Sequence, residues 1–301
     1  MSDVDVVLVN YRSGPKLAAV VEEARRWLGG RAAVTIVDNS PGDGSVDAVA
    51  GEVQVIANEE NRGFAAAVNQ AVRATSGPYV LLLNPDVAGI RGEFESIESV
   101  FAADADVAAV APRLVGADGA LQRNARREPR FGDLIVNALG LRGRFPESRR
   151  LRANQYGDWD YDTERVVDAV TGAFLVLGRA ALDAVGPFDE RFFVYAEETD
   201  WLVRAKRLGW KTVLTPKVEA KHEARGSTDA DETALTLLLV ESQHAYVGKH
   251  FGRRRALLFR GALLGIDSAR WALAAARGPS RRAHRRALAE RLRLHAGGTL
   301  R

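Results

Sequence analysis

The chain has 301 residues, 47% of them hydrophobic and 27% charged, which is enough to bury a substantial α/β core and too apolar for the bulk of it to be disordered. It contains no cysteine, so disulfide frameworks and thiolate metal sites are excluded, as suits a reducing compartment. The net charge of +3 conceals an asymmetry: Lys249 to Arg301 carry fourteen Lys/Arg against Asp267 and Glu290, a local +12 that leaves −9 on residues 1–248. A basic tail of this kind points to an anionic partner such as phospholipid, a diphosphate or nucleic acid.

Met1-Ser2-Asp3 leads directly into a strand-like run, so no signal peptide is expected, and no uninterrupted apolar stretch reaches bilayer-spanning length. Asp5 to Asn10 reads as a first buried strand, and Tyr11 to Pro15 as a turn whose Gly14-Pro15 opens a helix from about Lys16 to Leu28. Val34 to Val37 gives a second strand that ends in Asp38-Asn39-Ser40-Pro41-Gly42. An acid at such a strand end suits a ribose hydroxyl or base edge, and an Asx-turn uses the same residues equally well. A short strand, Val53 to Ala57, then runs into Asn61-Arg62-Gly63-Phe64 and an alanine-rich helix, Ala65 to Ala74, that contains Asn69. Gly63 before a helix lets backbone approach a phosphate, with Arg62 adding a charge, although a plain helix start with a solvated arginine explains the pattern too.

Tyr79 to Asp86, Tyr-Val-Leu-Leu-Leu-Asn-Pro-Asp, is an apolar run of strand length without helical spacing. It ends in a carboxylate at the carboxyl edge of the predicted sheet, where open α/β sheets bind ligands. A helix (Glu93 to Ala103) and a strand (Val107 to Ala111) follow, and the alternation predicts a parallel nucleotide-binding sheet. Residues 113–165 are irregular, with Arg123, Arg126, Arg127, Arg130, Arg142, Arg144, Arg149, Arg150 and Arg152 among glycines and prolines, as in a lid or acceptor-binding loop or a solvated excursion. In Thr171-Gly172-Ala173-Phe174 the small pair interrupts an apolar strand, which allows a bulge or close approach of a ligand. Beyond the Gly186-Pro187-Phe188-Asp189-Glu190 turn, Glu197, Glu198 and Asp200 crowd in front of a helix predicted from Trp201 to Leu208. Carboxylates this close raise one another's pKa and make a proton acceptor effective near neutrality, while the same acids also suit a helix N-terminus capped by Thr199 or Asp200. A strand from Trp210 to Thr215 and a loop with His222 complete this region.

Taken together, the ordered motifs Val7-Leu8-Val9-Asn10-Tyr11, Val37-Asp38-Asn39-Ser40, Asn61-Arg62-Gly63-Phe64 with Asn69, Leu83-Asn84-Pro85-Asp86, Thr171-Gly172-Ala173-Phe174, Gly186-Pro187-Phe188-Asp189-Glu190, Glu197-Glu198-Thr199-Asp200-Trp201, and His222 before Ser227-Thr228 resemble the family 2 inverting glycosyltransferases of the GT-A fold, especially bacterial rhamnosyltransferase-like members. The resemblance covers about residues 4–230 and implies a GT-A-type, mixed and mostly parallel sheet flanked by helices, with 231–301 as a basic helical C-terminal extension. It further implies that Asn10, Tyr11, Asp38, Asn61, Arg62, Gly63 and Asn84 line the nucleotide-sugar pocket, that Gly172 and Ala173 face the acceptor, and that Asp86 and His222 hold Mg²⁺ or Mn²⁺ on the diphosphate. Glu198 falls at the catalytic base, with Glu197 and Asp200 as supporting acids. The family's usual Asp is replaced here by Glu198, which leaves the choice of base between Glu197 and Glu198 open, and Asn84 leaves a single carboxylate in the Asn-Pro-Asp segment.

The expected reaction moves a sugar, rhamnose from dTDP-rhamnose being favoured, to a polyprenyl-diphosphate-linked or glycan acceptor, in the cytoplasm at the inner face of the cell membrane. The tail predicts a helix from Thr233 to Phe251 and a second from Arg253 to about Arg277, where Arg253, Arg260 and Asp267 form a narrow polar stripe among leucines. After a Gly278-Pro279-Ser280 break, a basic helix runs from Arg281 to His295. Peripheral attachment to an anionic membrane surface and packing on protein, a homo-oligomer included, both fit this tail. A sugar nucleotidyltransferase would want a glycine-rich basic phosphate loop that Asn10 to Lys16 does not supply. A nucleic-acid-binding protein is disfavoured by the acid cluster and the lack of a base-reading motif.

Overall fold

The computed structural model describes residues 3–145, 148, 151, 153–223, 232–276 and 282–297. Arg149, Arg150, Arg152, Ser227-Thr228, the Ala230 boundary and the Gly278-Pro279-Ser280 break lie outside the described residues. In chain order the elements are β1 (Val4–Asn10), α1 (Pro15–Leu28), β2 (Ala32–Asp38), β3 (Gln54–Ala57), α2 (Phe64–Arg73), β4 (Tyr79–Leu83), β5 (Val87–Arg91), α3 (Phe94–Ala103) and β6 (Val107–Val115). Then come β7 (Leu121–Gln122), β8 (Ala125–Arg126), α4 (Phe131–Ala138), α5 (Leu141–Arg144), β9 (Arg165–Val167), β10 (Ala169–Val170), β11 (Phe174–Gly178), α6 (Arg179–Val185), α7 (Glu197–Arg207), β12 (Lys211–His222), α8 (Glu232–Ala276) and α9 (Arg282–His295). They fall into two compact units: residues 1–128, 153–190 and 197–228, and residues 129–152, 191–196 and 229–301.

The first unit is a mixed, mostly parallel sheet in the order β3-β2-β1-β4-β11-β6-β12-β5, flanked by helices. Its central strands are apolar on both faces, so each supplies two cores. Val80 and Leu82 of β4 pack with Val68 and Ala71 of α2, Ala181 of α6 and Trp201 and Leu202 of α7. Leu81 and Leu83 pack on the opposite side with Leu17, Val20 and Ala24 of α1 and Phe94, Ile97 and Val100 of α3. Each such side chain, fully buried, contributes about 1.5–3 kcal/mol. α1 follows from its sequence: Pro15 occupies the first turn, where a missing N–H is harmless, and the buried Leu17, Val20, Val21, Ala24 and Leu28 repeat at helical spacing.

Two features depart from the strand order expected of the sequence. The neighbour of β4 is β11, which runs antiparallel between β4 and β6. After Asp86 the chain turns back into the edge strand β5, which pairs antiparallel with an extended β12 so that His222 sits opposite Val87. β12 continues past Thr215 by absorbing Pro216, Lys217 and Val218 in a register shift against β6. The irregular stretch 113–165 is divided between the units: β7, β8 and the segment from Ala153 belong to the first, and 129–152 to the second. Three of its arginines, Arg123, Arg127 and Arg165, lie against aromatic rings or carbonyls. Arg123 Nη1 donates to the carbonyls of Tyr156 and Trp159 at 3.1 and 2.6 Å, and Arg127 and Arg165 lie over the Tyr156 ring.

The second unit is helical. α8 is interrupted at Gly252, whose backbone (φ 80°, ψ 169°) is non-helical, so two helices meet between Phe251 and Arg253 as the sequence predicts. Val247, Phe259 and Leu263 form one small core with Phe131, Leu134 and Ile135 of α4, and Leu237, Val240 and Leu294 form another. Between α8 and α9, Arg260 donates to the carbonyls of Leu294 and His295, occupying the negative end of the α9 dipole.

Candidate active site

The carboxyl ends of β1, β2 and β4 converge on a polar edge. Asn10 and Asp38 are register partners across β1 and β2, and the buried Asp38 Oδ1 accepts Asn10 Nδ2 at 2.8 Å and the Ser40 amide at 3.0 Å. Ser40 Oγ in turn accepts the Arg12 amide at 2.8 Å, where Arg12 adopts a left-handed φ of 54°. Tyr11, half-buried, carries the Arg12 guanidinium near its ring. Asn39 was not singled out from the sequence, yet it ties this edge to the next loop. Its side chain donates to the Gly63 carbonyl at 3.2 Å and accepts Asn58 Nδ2 at 2.8 Å.

At that loop Asn61 Oδ1 accepts the Gly63 amide at 2.9 Å, and Gly63, at φ 84°, enters α2 without any side-chain cap. The positive φ is why glycine stands there: a side chain would be strained, and the exposed Arg62 beside it is left to meet solvent or a ligand. Asn69 has a structural task. It exchanges two hydrogen bonds with the Phe188 backbone, each 2.9 Å, and donates to Glu190 Oε1. Phe188 stacks on Trp201, whose Nε1 donates to the Gly186 carbonyl at 2.9 Å. The chain Asn69–Phe188–Trp201 therefore anchors α7 to α2 and fixes the acids at the α7 N-terminus.

Those acids lie in the first turn of α7, which begins at Glu197 and not at Trp201 as the sequence spacing predicts. The helix dipole favours carboxylates there. Tyr195 and Ala196, immediately before, are both left-handed (φ 71° and 70°), an uncommon conformation for side-chain-bearing residues that is found at functional turns. Glu197 is buried, and its Oε2 has no hydrogen-bond partner among the described residues. Burial raises its pKa well above the ordinary carboxylate range, and the neighbouring Glu198 charge raises it further. Glu198 is half-buried; burial raises its pKa too, while its own and the Thr199 amide and the Arg126 charge hold it back. Asp200 is fully buried and paired with Arg204 at 3.0 Å, and Arg204 also donates to the carbonyls of Val185 and Pro187.

β11 brings the acids to the sheet edge. Asn84 donates its amide to the Ala173 carbonyl at 2.8 Å, and a Cβ placed on Gly172 would lie 3.6 Å from Glu198 Cβ and Cγ. Two residues beyond Asn84, the buried Asp86 Oδ1 has no hydrogen-bond partner among the described residues. His222 Nε2 faces it at 3.5 Å. The other ring nitrogen, Nδ1, is 3.0 Å from Gln122 Oε1, and Gln122 Nε2 donates to the His222 carbonyl at 2.6 Å. This network assigns the proton to Nδ1 and turns the Nε2 lone pair toward Asp86. Two acceptors facing each other across 3.5 Å fit a shared cation, and a carboxylate with an imidazole oriented by an amide is an apt donor pair for a divalent ion. No cluster of three or more such side chains occurs among the described residues, so the ion's remaining ligands would come from substrate or water. Gln122 had no signal in the sequence: it stands 100 residues from His222 and reaches it only because β7 pairs with β6 beside β12.

A Rossmann-like half that leads into a mixed sheet, with a nucleotide-type edge and an acid-lined helix start, defines a GT-A glycosyltransferase. The structure aligns with a mannosyltransferase from Pyrobaculum calidifontis in complex with GDP-Man and Mn²⁺ (TM-score 0.54, 19% identity, 97% of this chain and 80% of that one). It also aligns with GalNAc-T7 bound to UDP, GalNAc and Mn²⁺ (TM-score 0.52, 13% identity, 83% of this chain and 50% of that one). The family model "Glycosyl transferase family 2" matches residues 5–175, and the chain belongs to that family. Among curated proteins it is 27% identical over 284 residues to an N-acetylglucosaminyl-diphospho-decaprenol L-rhamnosyltransferase of Mycobacterium tuberculosis, covering 87% of this chain and 91% of the relative. It is 20% identical to a low-salt glycan biosynthesis hexosyltransferase of Haloferax volcanii, over 69% of this chain and 62% of that one.

Proposed function

We propose that this glycosyltransferase transfers rhamnose from dTDP-rhamnose, with inversion, to a sugar carried on a polyprenyl diphosphate at the inner face of the cell membrane. The reading is carried by one observation: the Asn84–Ala173 hydrogen bond sets Gly172, and with it Glu198, beside the edge where Asp86 faces His222. In this reading a proton acceptor and a cation-ready pair flank the reacting centre. The choice of sugar and acceptor rests on the rhamnosyltransferase relative, which matches along nearly its whole length.

In this mechanism Asp38, Asn10, Tyr11, Asn61, Arg62, Gly63 and Asn84 line the donor's nucleotide end. Asp86 and His222 would hold Mg²⁺ or Mn²⁺, which when bound neutralises the charge on the departing diphosphate. Glu198 takes the proton from the acceptor hydroxyl as its oxygen bonds to the anomeric carbon and the bond from that carbon to the diphosphate oxygen breaks. Glu197 is the protonated member of the acid pair, since its burial exceeds that of Glu198 and its Oε2 lacks a partner among the described residues. Asp200 acts through Arg204 to fix the helix that presents them. Gly172 and Ala173 leave room for the acceptor.

The test is a thermal-shift panel of dTDP-, UDP- and GDP-linked nucleotides with and without Mn²⁺, followed by transfer assays on Glu198→Gln. Stabilisation by the dTDP compounds and a loss of transfer of about a hundredfold or more in the variant, with donor binding retained, is expected. Failure of every nucleotide to stabilise the protein overturns the assignment, and full activity of the variant removes Glu198 from the role of base.

A further inference from the structure

We propose that the outer face of α8 beyond Gly252 docks on an anionic membrane surface, with Leu257, Leu258, Leu264, Trp271 and Leu273 entering the boundary between headgroups and acyl chains. Helical packing in water hides leucines and exposes charge. Here the order is inverted. The one acid of α8 beyond Gly252, Asp267, is completely buried, with Arg270 Nη1 at 3.1 Å, His295 Nε2 at 3.0 Å and Arg291 Nε at 2.8 Å. Leu257, Leu258 and Leu273 remain 60%, 66% and 59% exposed, and Trp271 41%.

The exposed positions from Leu257 to Ala276 include no charged residue; those between the large side chains are Gly261, Gly265, Ser268, Ala269 and Ala272. These eleven exposed positions, spread over about 30 Å of helix, form an uncharged face too continuous to be ordinary scattered surface apolarity. No helix among the described residues is long and apolar enough to cross a membrane, so a face of this kind is suited to lie along one.

Charge selects the occupant. Arg253, Arg254 and Arg255 are all exposed at the start of the stripe, and in the sequence Arg277 follows directly on Ala276. A second copy laid parallel on this face would bring arginines near arginines, whereas anionic headgroups complement them. Trp271, amphipathic and half out of the protein, suits the interface between lipid and water. The proposal concerns the surface of the helical unit and stands independently of the donor and acceptor assigned above.

The experiment is flotation of the full chain with vesicles of equal parts phosphatidylglycerol and phosphatidylcholine, without donor or acceptor. We expect binding that weakens about tenfold or more in the triple variant Leu257→Ser/Leu258→Ser/Leu264→Ser, whose substitutions are at exposed positions and leave the fold intact by circular dichroism. A blue shift of tryptophan fluorescence on adding vesicles should disappear in Trp271→Phe. Undiminished flotation of the triple variant overturns the proposal. So does a wild-type chain that ignores vesicles and instead sediments as a dimer that the same substitutions dissociate, since the face would then belong to a second copy. Because no substrate enters the assay, either failure leaves the proposed transfer reaction untouched.

Discussion

Replacing Glu197 by Gln tests the division of labour within the acid pair. Glu197 is buried, its pKa is raised well above the usual 4.5 by burial and by Glu198, and in the unfolded chain it titrates normally. Between those two values the folded state binds more protons than the unfolded one, so stability falls as pH rises through that window. The slope for one group approaches about 1.4 kcal/mol per pH unit. Glutamine does not titrate, so the difference in stability between Glu197→Gln and wild type should tilt toward the variant as pH climbs upward from about 4.5 to neutrality. Urea unfolding at several pH values reads that tilt directly, and any constant offset from repacking the amide drops out. In kinetics the substitution exchanges one neutral group for another beside Glu198, so the acid limb of kcat/KM should stay in place. Parallel stability curves for variant and wild type, together with an acid limb that moves down, would refute the reasoning and show that Glu197 is ionised alongside Glu198.

Gln122→Leu should leave the fold intact but free the His222 ring, weakening stabilisation by Mn²⁺ and donor about tenfold in calorimetric titration, as loss of an orienting partner does; unchanged Mn²⁺ dependence would dismiss the Asp86–His222 pair as a cation site. His244 in the helical unit is pushed down to about 4 by burial and by the neighbouring His295, so the unit should lose stability as pH falls from about 6.5 toward 4, because the unfolded chain takes up the proton first. The loss, on the order of 2 kcal/mol, is measurable by helical circular dichroism during thermal melts, and His244→Phe should flatten it. Asp267→Ala strands Arg291 and His295 in the helical core and should cost about 3–5 kcal/mol, whereas Asp267→Asn should cost less; equal melting of Asp267→Ala and wild type would show the ion cluster to be incidental.

Much of the architecture was legible because strands buried on both faces leave uninterrupted apolar runs. Val-Val-Leu-Val in β1 and Val-Leu-Leu-Leu in β4 permit little else, and Pro15, Gly63 and Gly252 mark helix boundaries by their backbone requirements. Asp38, Asp86 and the Glu197–Glu198 pair were visible as acids at the ends of such elements. The start of α7 was misread by one turn because Tyr195 and Ala196 adopt left-handed conformations that their side chains do not advertise. The edge strand β5 went unseen because its Val-Ala-Gly-Ile-Arg sequence has little strand character apart from its pairing with β12.

The sequence by itself determined the first sheet half, the acids at its carboxyl edge and a basic helical tail, since those depend on local pattern and composition. Only the tertiary structure decided that β11 slips antiparallel between β4 and β6, and this is what joins Glu198 to the edge holding Asp86. It alone decided that Gln122 orients His222 and that Asp267 turns inward while Leu257, Leu258, Leu264 and Leu273 face out. Each of these outcomes is a pairing between residues far apart in the chain, selected by the satisfaction of buried polar groups, and periodicity along one segment carries no record of such a partner.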